Sequence, residues 1–260
     1  MNYNKVLIVG PHSSIASFVL PELQIKKEKL FAITRRFSDL NLPWVDQNHL
    51  FVTDYPMESE LMKKIVQRMC PLGNESVLVL NFAGFFGNPS TLRDMDLNSV
   101  VDVLTKNSVQ FLSIVKLLEY FPPNSLLVGF SGGGVGGDNM DASSPGYLMS
   151  KISIAGIVEV LDKDFLAENK RIALIAPGAF PSDMQAAVAN AAAGVVPEEF
   201  RNQAASVQAD RDKILRLVRA INWVTNNPNE SGGRTWSAQR DDFDQESRVK
   251  RFGLLRRVFE

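Results

Sequence analysis

Short hydrophobic runs recur along the chain, and each is apolar nearly throughout rather than alternating with polar residues. Continuous hydrophobicity over five or six residues is typical of strands covered on both faces, as in a parallel sheet. These runs lie at 5–9, 29–34, 49–53, 76–80, 125–130 and 171–176, and a run at 234–238 could add an edge strand.

Longer segments between the runs carry Asp, Ser or Pro near their starts, which predicts helices at about 13–24, 57–69, 95–120 and 146–167. Regular strand–helix alternation predicts an α/β fold: a single doubly wound Rossmann-type domain with a mainly parallel sheet and right-handed crossovers. No repeat or linker divides the chain, so we predict one domain over 1–260. The alanine-rich segment at about 183–212 follows the sixth strand at the ligand-binding edge of such sheets, and we expect it to form a substrate lid.

Composition narrows the choice of partners. Of the 260 residues, 28 are Lys or Arg and 29 are Asp or Glu, so no basic field favours nucleic acid or an anionic membrane, and we expect a small-molecule partner. Cys70 is the single cysteine, the start lacks the apolar segment of a signal peptide, and no run is long enough to span a bilayer. We therefore expect a cytoplasmic protein. No His/Cys cluster has metal-ligand spacing, and we expect no metal.

The segment "VGPHSSIAS" follows the first strand, where a dinucleotide-binding protein has its glycine-rich turn. Gly10 would permit the tight turn, and the next helix would present its amino terminus to the pyrophosphate. Ser14 and Ala16 stand where later glycines are usual. A plain strand-to-helix turn is the alternative here, with His12 as a solvent-facing loop residue.

The residues after the second strand bear on cofactor preference. A carboxylate at that position would accept hydrogen bonds from the ribose of NAD, but the chain offers Thr34, Arg35 and Arg36. Two guanidinium groups favour a 2′-phosphate, which predicts NADP (NADPH) over NAD. A solvated arginine pair on a loop is the alternative.

Tyr147 and Lys151, four residues apart in "GYLMSKISIAG", would share one face of a helix. A carbonyl that accepts a hydride also needs a proton, and a phenol can donate it; a nearby ammonium would lower the pKa of the phenol. Ser131, after the fifth strand, could orient the carbonyl by a hydrogen bond. A Tyr and a Lys at this spacing also occur by chance on helix surfaces.

Taken in order, these segments resemble the short-chain dehydrogenase/reductase family over nearly the full chain. The resemblance rests on "VGPHSSIA", Asp54 in "VTDYP", "NFAG" at 81–84, Asn107 in "VLTKNSVQFL", Ser131 in "GFSGGG", "YLMSK", "APGAFPSDM" and "SGGRTWSAQRDD". The serine followed by three glycines and the late "SA..DD" are similar to a bacterial subset found with polysaccharide-synthesis genes. The chain departs from the family pattern at Ser14 and in a longer interval between Ser131 and Tyr147.

The resemblance implies an NADP(H)-dependent oxidoreductase that interconverts a ketone and a secondary alcohol. Tyr147 would be the general acid/base, Lys151 would also hold the nicotinamide ribose, and Asn107, in a locally opened helix, would link Lys151 to solvent in a proton relay. The implied catalytic positions are Asn107, Ser131, Tyr147 and Lys151. The implied cofactor-binding positions are Gly10, His12, Ser13, Ser14, Ile15, Arg35, Arg36, Asp54, Asn81, Ala83, Gly84, Tyr147, Lys151, Pro177, Gly178, Phe180 and Ser182.

The family commonly pairs the two long helices between subunits, so we expect a homodimer or homotetramer, with the basic and apolar tail at 247–260 as a further contact. Two other functions stay open. A non-catalytic dinucleotide sensor would use the same fold without needing the Tyr–Lys pair. A nucleotide-sugar epimerase or dehydratase normally has a larger carboxyl-terminal domain than this chain offers. The likeness to the polysaccharide subset suggests a nucleotide-linked keto sugar as substrate.

Overall fold

One parallel sheet forms the centre of the molecule. The computed structural model describes residues 3–35, 44–91, 93–132, 144–241 and 243. The strands in this part of the chain are β1 (Lys5–Val9), β2 (Leu30–Thr34), β3 (Leu50–Val52), β4 (Val77–Asn81), β5 (Leu126–Phe130), β6 (Arg171–Ala176) and β7 (Thr235–Ser237). All the predicted strands are confirmed, including the edge strand at the end.

The strand order is β3-β2-β1-β4-β5-β6-β7, and every neighbouring pair is parallel. The predicted Rossmann-type α/β fold is confirmed, with a sheet that is parallel over all its described strands. The chain runs outward from β1 to β3 and then returns to place β4 on the other side of β1. Loops therefore diverge at the carboxyl ends of β1 and β4, the position at which open α/β sheets bind ligands.

The helices agree with the prediction in part. The α-helices are α1 (Ser14–Val19), α2 (Ser59–Met69), α3 (Leu97–Leu104), α4 (Gln110–Tyr120), α5 (Pro145–Phe165), α6 (Asp183–Ala189), α7 (Glu198–Ala205), α8 (Arg211–Asn226) and α9 (Pro228–Ser231), with 3₁₀ turns at Lys27–Lys29, Gln47–His49 and Leu166–Glu168. The predicted first helix is too long, because Pro21 has no N–H to donate to the carbonyl of Ser17 and so cannot continue the hydrogen bonds of α1. A π-helical turn, Thr105–Val109, divides the predicted helix at 95–120. The sequence analysis missed α8.

Both faces of the sheet are covered, which explains the continuous hydrophobicity of the strands. Along β1, Val6 and Ile8 face one apolar cluster with α1 and α8, whereas Leu7 and Val9 face another with α2, α4 and α5. Successive strand residues point to opposite faces, so a strand between two helical layers is apolar at every position. None of the described helices combines the length and the hydrophobicity needed to cross a bilayer.

A buried ion pair fixes the carboxyl end of α5 to the sheet. The Asp162 carboxylate accepts hydrogen bonds from Arg171 Nη2 at 2.8 Å and from the backbone nitrogen of Ile172 at 2.7 Å. Both charged side chains are buried, so removing either one would leave an uncompensated charge in the interior. The pair therefore holds α5 rigidly against β6.

The outer faces of α3, α4 and α5 expose large apolar side chains. Leu97 and Val101 are 68% and 60% exposed, and Val160 is 64% exposed. Gly156 lies one helical turn before Val160, and a methyl group added there would meet nothing within 4 Å. This exposed face supports the expected pairing of subunits, which stays a prediction. The tail at 247–260 lies outside the described residues.

We predict that the chain forms a dimer or a tetramer through this face and that Val160→Lys shifts it toward monomer. Lysine would place a charge in an apolar contact, where it must be desolvated. Light scattering at micromolar concentration measures the mass. Leu72→Lys is the matched control, because Leu72 is 80% exposed but lies in the turn after α2. A mass near 28.8 kDa for the unaltered chain would contradict the prediction.

Candidate active site

The carboxyl ends of the parallel strands bring the predicted site residues to one edge of the sheet. Gly10 follows β1, Arg35 follows β2, and Ser131 follows β5. The segment 81–84 starts at the last residue of β4, and 177–182 follows β6. Tyr147 and Lys151 are contributed by the amino-terminal part of α5.

Gly10 is held in a conformation and a space that only glycine tolerates. Its φ is +71°, and a Cβ there would lie 2.7 Å from the nitrogen and Cα of Ala83. The Gly10 carbonyl accepts a hydrogen bond from the nitrogen of Ser13, which closes the turn before α1. Ser14 begins α1, and its carbonyl accepts a hydrogen bond from Ser17 Oγ at 2.7 Å. The first turn of a helix leaves N–H groups without partners in the helix, and these face the turn.

Lys151 is buried beside Tyr147. Its Nζ donates a hydrogen bond to the Phe130 carbonyl at 3.0 Å and lies 5.4 Å from the centroid of the Tyr147 ring. Glycines flank this side chain. A Cβ at Gly84 would lie 3.7 Å from Lys151 Nζ, and one at Gly132 would lie 3.1 Å from Lys151 Cγ. The amine therefore lies against backbone groups at the ends of β4 and β5.

Burial dominates the proton affinities of this pair. It lowers the pKa of Lys151 to about 8 and raises the pKa of the Tyr147 phenol well above its usual range. The sequence analysis expected Lys151 to lower the pKa of the phenol. The difference arises because loss of hydration outweighs the attraction of an ammonium whose nearest hydrogen-bond acceptor is the Phe130 carbonyl.

Ser131 carries a buried hydroxyl with no hydrogen-bond partner in the described part of the chain. Its backbone nitrogen donates to the Ile175 carbonyl at 3.0 Å, which fixes the residue between β5 and β6. The next residue, Gly132, lies so close to Tyr147 that a Cβ there would be 3.0 Å from the phenol oxygen. Ser144, just before α5, also has a buried hydroxyl without a partner, and the sequence analysis did not identify it. Unpaired buried hydroxyls are rare and indicate a place for a ligand.

Asn107 lies in the π-helical turn, where its side chain is fully engaged. Nδ2 donates to the Phe85 carbonyl at 2.7 Å and to Ser150 Oγ at 2.8 Å, and Oδ1 accepts from the Phe85 nitrogen at 2.7 Å. Ser150 Oγ in turn donates to the Tyr147 carbonyl. The local opening of this helix that the family resemblance implies takes the form of a π turn, a feature common at functional sites. Its side chain links the segment after β4 to α5.

A second amide, Gln110, forms a buried network that the sequence analysis missed. Its side chain exchanges two hydrogen bonds with Asn81, at 3.3 and 3.4 Å, and it lies near enough to the Tyr55 phenol to lower the pKa of that group. Asn81 Oδ1 accepts a further hydrogen bond from the nitrogen of Ala83 at 3.1 Å. These polar residues come from three separate segments, so no spacing in the sequence could have indicated the network.

The remaining predicted positions at the β1, β2 and β3 ends are more open. Arg35 and His12 are exposed, and Ser13 and Ile15 are half-buried in the turn and first helix. Asp54 is exposed, and its Oδ1 accepts a hydrogen bond from the Tyr55 nitrogen. Arg36 and the glycine-rich loop that begins at Gly133 lie outside the described residues.

The segment after β6 is held by its own contacts. The Pro177 carbonyl accepts a hydrogen bond from Gln239 Nε2, and Gly178 has a φ of +87°. Ser182 Oγ caps α6 by accepting from the Gln185 nitrogen. The Phe180 ring is buried in the core, 6.0 Å from the ring of Phe18, so only the backbone of Phe180 can reach a ligand.

Solved structures similar to this chain are short-chain dehydrogenases and related oxidoreductases. One from Saccharomyces cerevisiae, a short-chain dehydrogenase/reductase, has a TM-score of 0.71 at 16% identity, covering 93% of this chain and 98% of its own. A structure from Haemophilus influenza with bound NAD, assigned as a D-mannonate oxidoreductase, has a TM-score of 0.69 at 17% identity over 91% and 94%. The protein BdcA in complex with NADPH has a TM-score of 0.63 at 16% identity over 90% and 92%.

This chain has the fold of the short-chain dehydrogenase/reductases. The resemblance that the ordered motifs predicted is therefore confirmed at the level of the fold. No protein-family model matches the sequence, and a search of curated proteins finds no match. The assignment of chemistry depends on the site geometry.

We predict that Lys151 makes the folding stability rise with pH. Because the pKa of this amine is lowered to about 8 in the fold, from 10.5, the unfolded chain binds more protons between those values. Relative to Lys151→Met, the unaltered protein should gain about 2 kcal/mol of unfolding free energy between about pH 7.5 and about pH 9.5.

Urea titrations at the two pH values measure this difference. Lys163→Met is the matched control, since Lys163 is exposed on the same helix, and it should show no comparable change. If Lys151→Met and the unaltered protein differ in unfolding free energy by the same amount at both pH values, the result would contradict a desolvated Lys151 ammonium.

Proposed function

We propose that this protein is a member of the short-chain dehydrogenase/reductase family that uses NADP(H) to interconvert a ketone and a secondary alcohol. The observation that carries the proposal is the buried hydroxyl of Ser131, which has no hydrogen-bond partner among the described residues. It precedes Gly132, where an added Cβ would lie 3.0 Å from the Tyr147 phenol oxygen. A substrate carbonyl is a group that could accept hydrogen bonds from both hydroxyls. The fold, shared with structures that hold NAD or NADPH, supports the proposal.

The residues present fit a dinucleotide. Gly10 lets the turn after β1 pack against the backbone of Ala83, and the N–H groups at the start of α1 could donate hydrogen bonds to a phosphate. Gly84 offers an exposed backbone beside Lys151 Nζ. Arg35 presents a guanidinium at the end of β2, where the second ribose of a dinucleotide lies in this fold. Ser14 adds a hydroxyl that can donate to a phosphate oxygen.

In this proposal each polar residue has a separate task. A reduced dinucleotide held by the Gly10 turn, Arg35 and Lys151 would be the source of the hydride that the carbonyl carbon accepts. Tyr147 donates its phenolic proton to the carbonyl oxygen, and its raised pKa keeps the phenol protonated before the reaction. Lys151, with a pKa of about 8, exchanges protons near neutral pH and returns one to the phenolate. Ser131 holds the carbonyl oxygen in place.

The substrate would lie on the open side of Tyr147. The Phe86 ring contacts the Tyr147 ring edge-on at a centroid distance of 5.2 Å and would form one wall. The paired helices α6 and α7 occupy the segment expected to act as a lid, and we propose that they cover the substrate. A small-molecule substrate, a homo-oligomer and a cytoplasmic location are parts of the same proposal.

A panel of carbonyl compounds and sugar nucleotides with NADPH tests the function. Loss of nicotinamide absorbance with any of them would support an oxidoreductase, and nucleotide-linked keto sugars are the first class to include. Tight binding of NADPH without turnover across the panel would instead favour a dinucleotide sensor, which needs the fold but not the paired Tyr147 and Lys151.

We predict that the protein binds NADPH more tightly than NADH and that Arg35→Ala removes this preference. Losing a hydrogen bond to a charged group should weaken NADPH binding about ten- to hundredfold while NADH binding stays the same. Calorimetry measures both dissociation constants. Arg216→Ala is the control, since Arg216 is exposed on α8 and pairs with Asp212. Equal affinity of the unaltered protein for both dinucleotides would contradict the prediction.

We predict that Tyr147→Phe lowers turnover about a hundred- to ten-thousandfold, because the variant keeps the ring and loses the proton donor. Lys151→Met should lower turnover at least as much, and the two effects should not add, since both residues serve one proton transfer. Steady-state kinetics with the best carbonyl substrate measures the effect. Tyr120→Phe, at the end of α4, removes a hydroxyl elsewhere and should leave the rate unchanged. Turnover by Tyr147→Phe within about threefold of the unaltered enzyme would remove Tyr147 from the mechanism.

A further inference from the structure

Gln110 connects the segment after β4 to the end of β3, and no catalytic role accounts for it. We infer that Gln110 is a positioning residue for the dinucleotide-binding segment Asn81–Gly84, and that Tyr55 completes its support. The inference deepens the proposed function and rests on it.

Gln110 is buried, with 3% of its surface exposed, and both the oxygen and the nitrogen of its amide group form hydrogen bonds. Its Nε2 donates to Asn81 Oδ1 at 3.3 Å, and its Oε1 accepts from Asn81 Nδ2 at 3.4 Å. A reciprocal pair of this kind fixes the orientation of both amides. Asn81 Oδ1 is thereby aimed at the nitrogen of Ala83, which donates to it at 3.1 Å.

Ala83 connects the Gln110–Asn81 pair to the turn at Gly10 that is proposed to bind the cofactor. Its backbone lies against Gly10, where a Cβ would come within 2.7 Å of the Ala83 nitrogen. Gly84 is the next residue, and a Cβ added to it would lie 3.7 Å from Lys151 Nζ. A shift of the segment would therefore disturb both the turn that receives a phosphate and the amine expected to hold a ribose.

Asn107 and Gln110 let one helical stretch hold both ends of the segment. Asn107, inside the π turn, binds the nitrogen and the carbonyl of Phe85, whereas Gln110, the first residue of α4, binds Asn81. Two amides three residues apart thus bracket the five residues from Asn81 to Phe85. Residues three apart lie on one face of a helix, so both side chains can face the same strand end.

Tyr55 continues the network toward the end of β2. Burial raises the pKa of its phenol to about 12, and the neighbouring Gln110 amide and the charge of Arg35 both act to lower it. The phenol is thus near both the amide that supports the segment and the guanidinium proposed to bind the 2′-phosphate. Its hydroxyl would keep the Gln110 amide from turning away from Asn81.

Calorimetric titration of the dinucleotide-free protein with NADPH and with NADH tests the inference without any turnover. Gln110→Met keeps the length of the side chain and removes its hydrogen bonds, so both dissociation constants should rise by the same factor, about tenfold. The equal effect separates support of the shared backbone site from loss of a phosphate contact, because Arg35→Ala should weaken NADPH alone. Tyr55→Phe should weaken both dinucleotides about threefold, and the double variant should be no weaker than Gln110→Met.

The matched control is Tyr120→Phe, which removes a phenol hydroxyl at the far end of α4 and should leave both constants unchanged. A purely structural role would lower the melting temperature of Gln110→Met without changing the affinity of the folded protein, and that result would overturn the inference. If Gln110→Met does not fold, Tyr55→Phe decides: unchanged binding of both dinucleotides would overturn the inference. Failure of the unaltered protein to bind either dinucleotide would instead overturn the proposed function.

Discussion

The buried ammonium of Lys151 is the constraint around which the site is arranged. An amine deprived of water needs a fixed acceptor, and the Phe130 carbonyl supplies it at 3.0 Å because β5 ends there. This contact sets the depth of α5 against the sheet, and it places Tyr147 one helical turn earlier over the end of the same strand. The remaining desolvation lowers the pKa of Lys151 to about 8, and in the proposed mechanism this lets the amine exchange protons near neutral pH.

The site holds several groups that a protein selected for stability alone would not keep. The hydroxyls of Ser131 and Ser144 are buried with no hydrogen-bond partner among the described residues, and the phenol of Tyr147 is desolvated. Such groups cost free energy in the absence of a ligand. The Asp162–Arg171 ion pair holds the far end of α5, so the helix stays in place in spite of this cost. Stability at one end of α5 and reactive groups at the other are consistent with a functional site on a rigid scaffold.

The fold was predictable because strands covered on both faces form continuous apolar runs, as β1 to β6 do, whereas the edge strand β7 has only Trp236 as a buried apolar residue. Once the strands were assigned, the positions of Ser131 and Tyr147 after the fifth strand predicted that both lie at the carboxyl edge of the sheet. The spacing of Ile214, Leu217, Val218 and Ile221 is typical of a helix and could have indicated α8, but the charged residues in and before this stretch obscured it. The pKa of Tyr147 was not predictable, since its direction depends on the depth of burial rather than on the distance to Lys151 along the chain. The Gln110 network was not predictable either, because its members meet only in the folded protein.

A crystal structure with NADP⁺ bound tests the central claim most directly, which is that the buried amine and the phenol form one cofactor-dependent catalytic centre. The account predicts the nicotinamide ribose within hydrogen-bonding distance of Lys151 Nζ and the nicotinamide ring beside Tyr147 and Ser131. The adenosine 2′-phosphate should lie at Arg35. A dinucleotide whose nicotinamide half points away from Tyr147, or one bound at another edge of the sheet, would contradict the account.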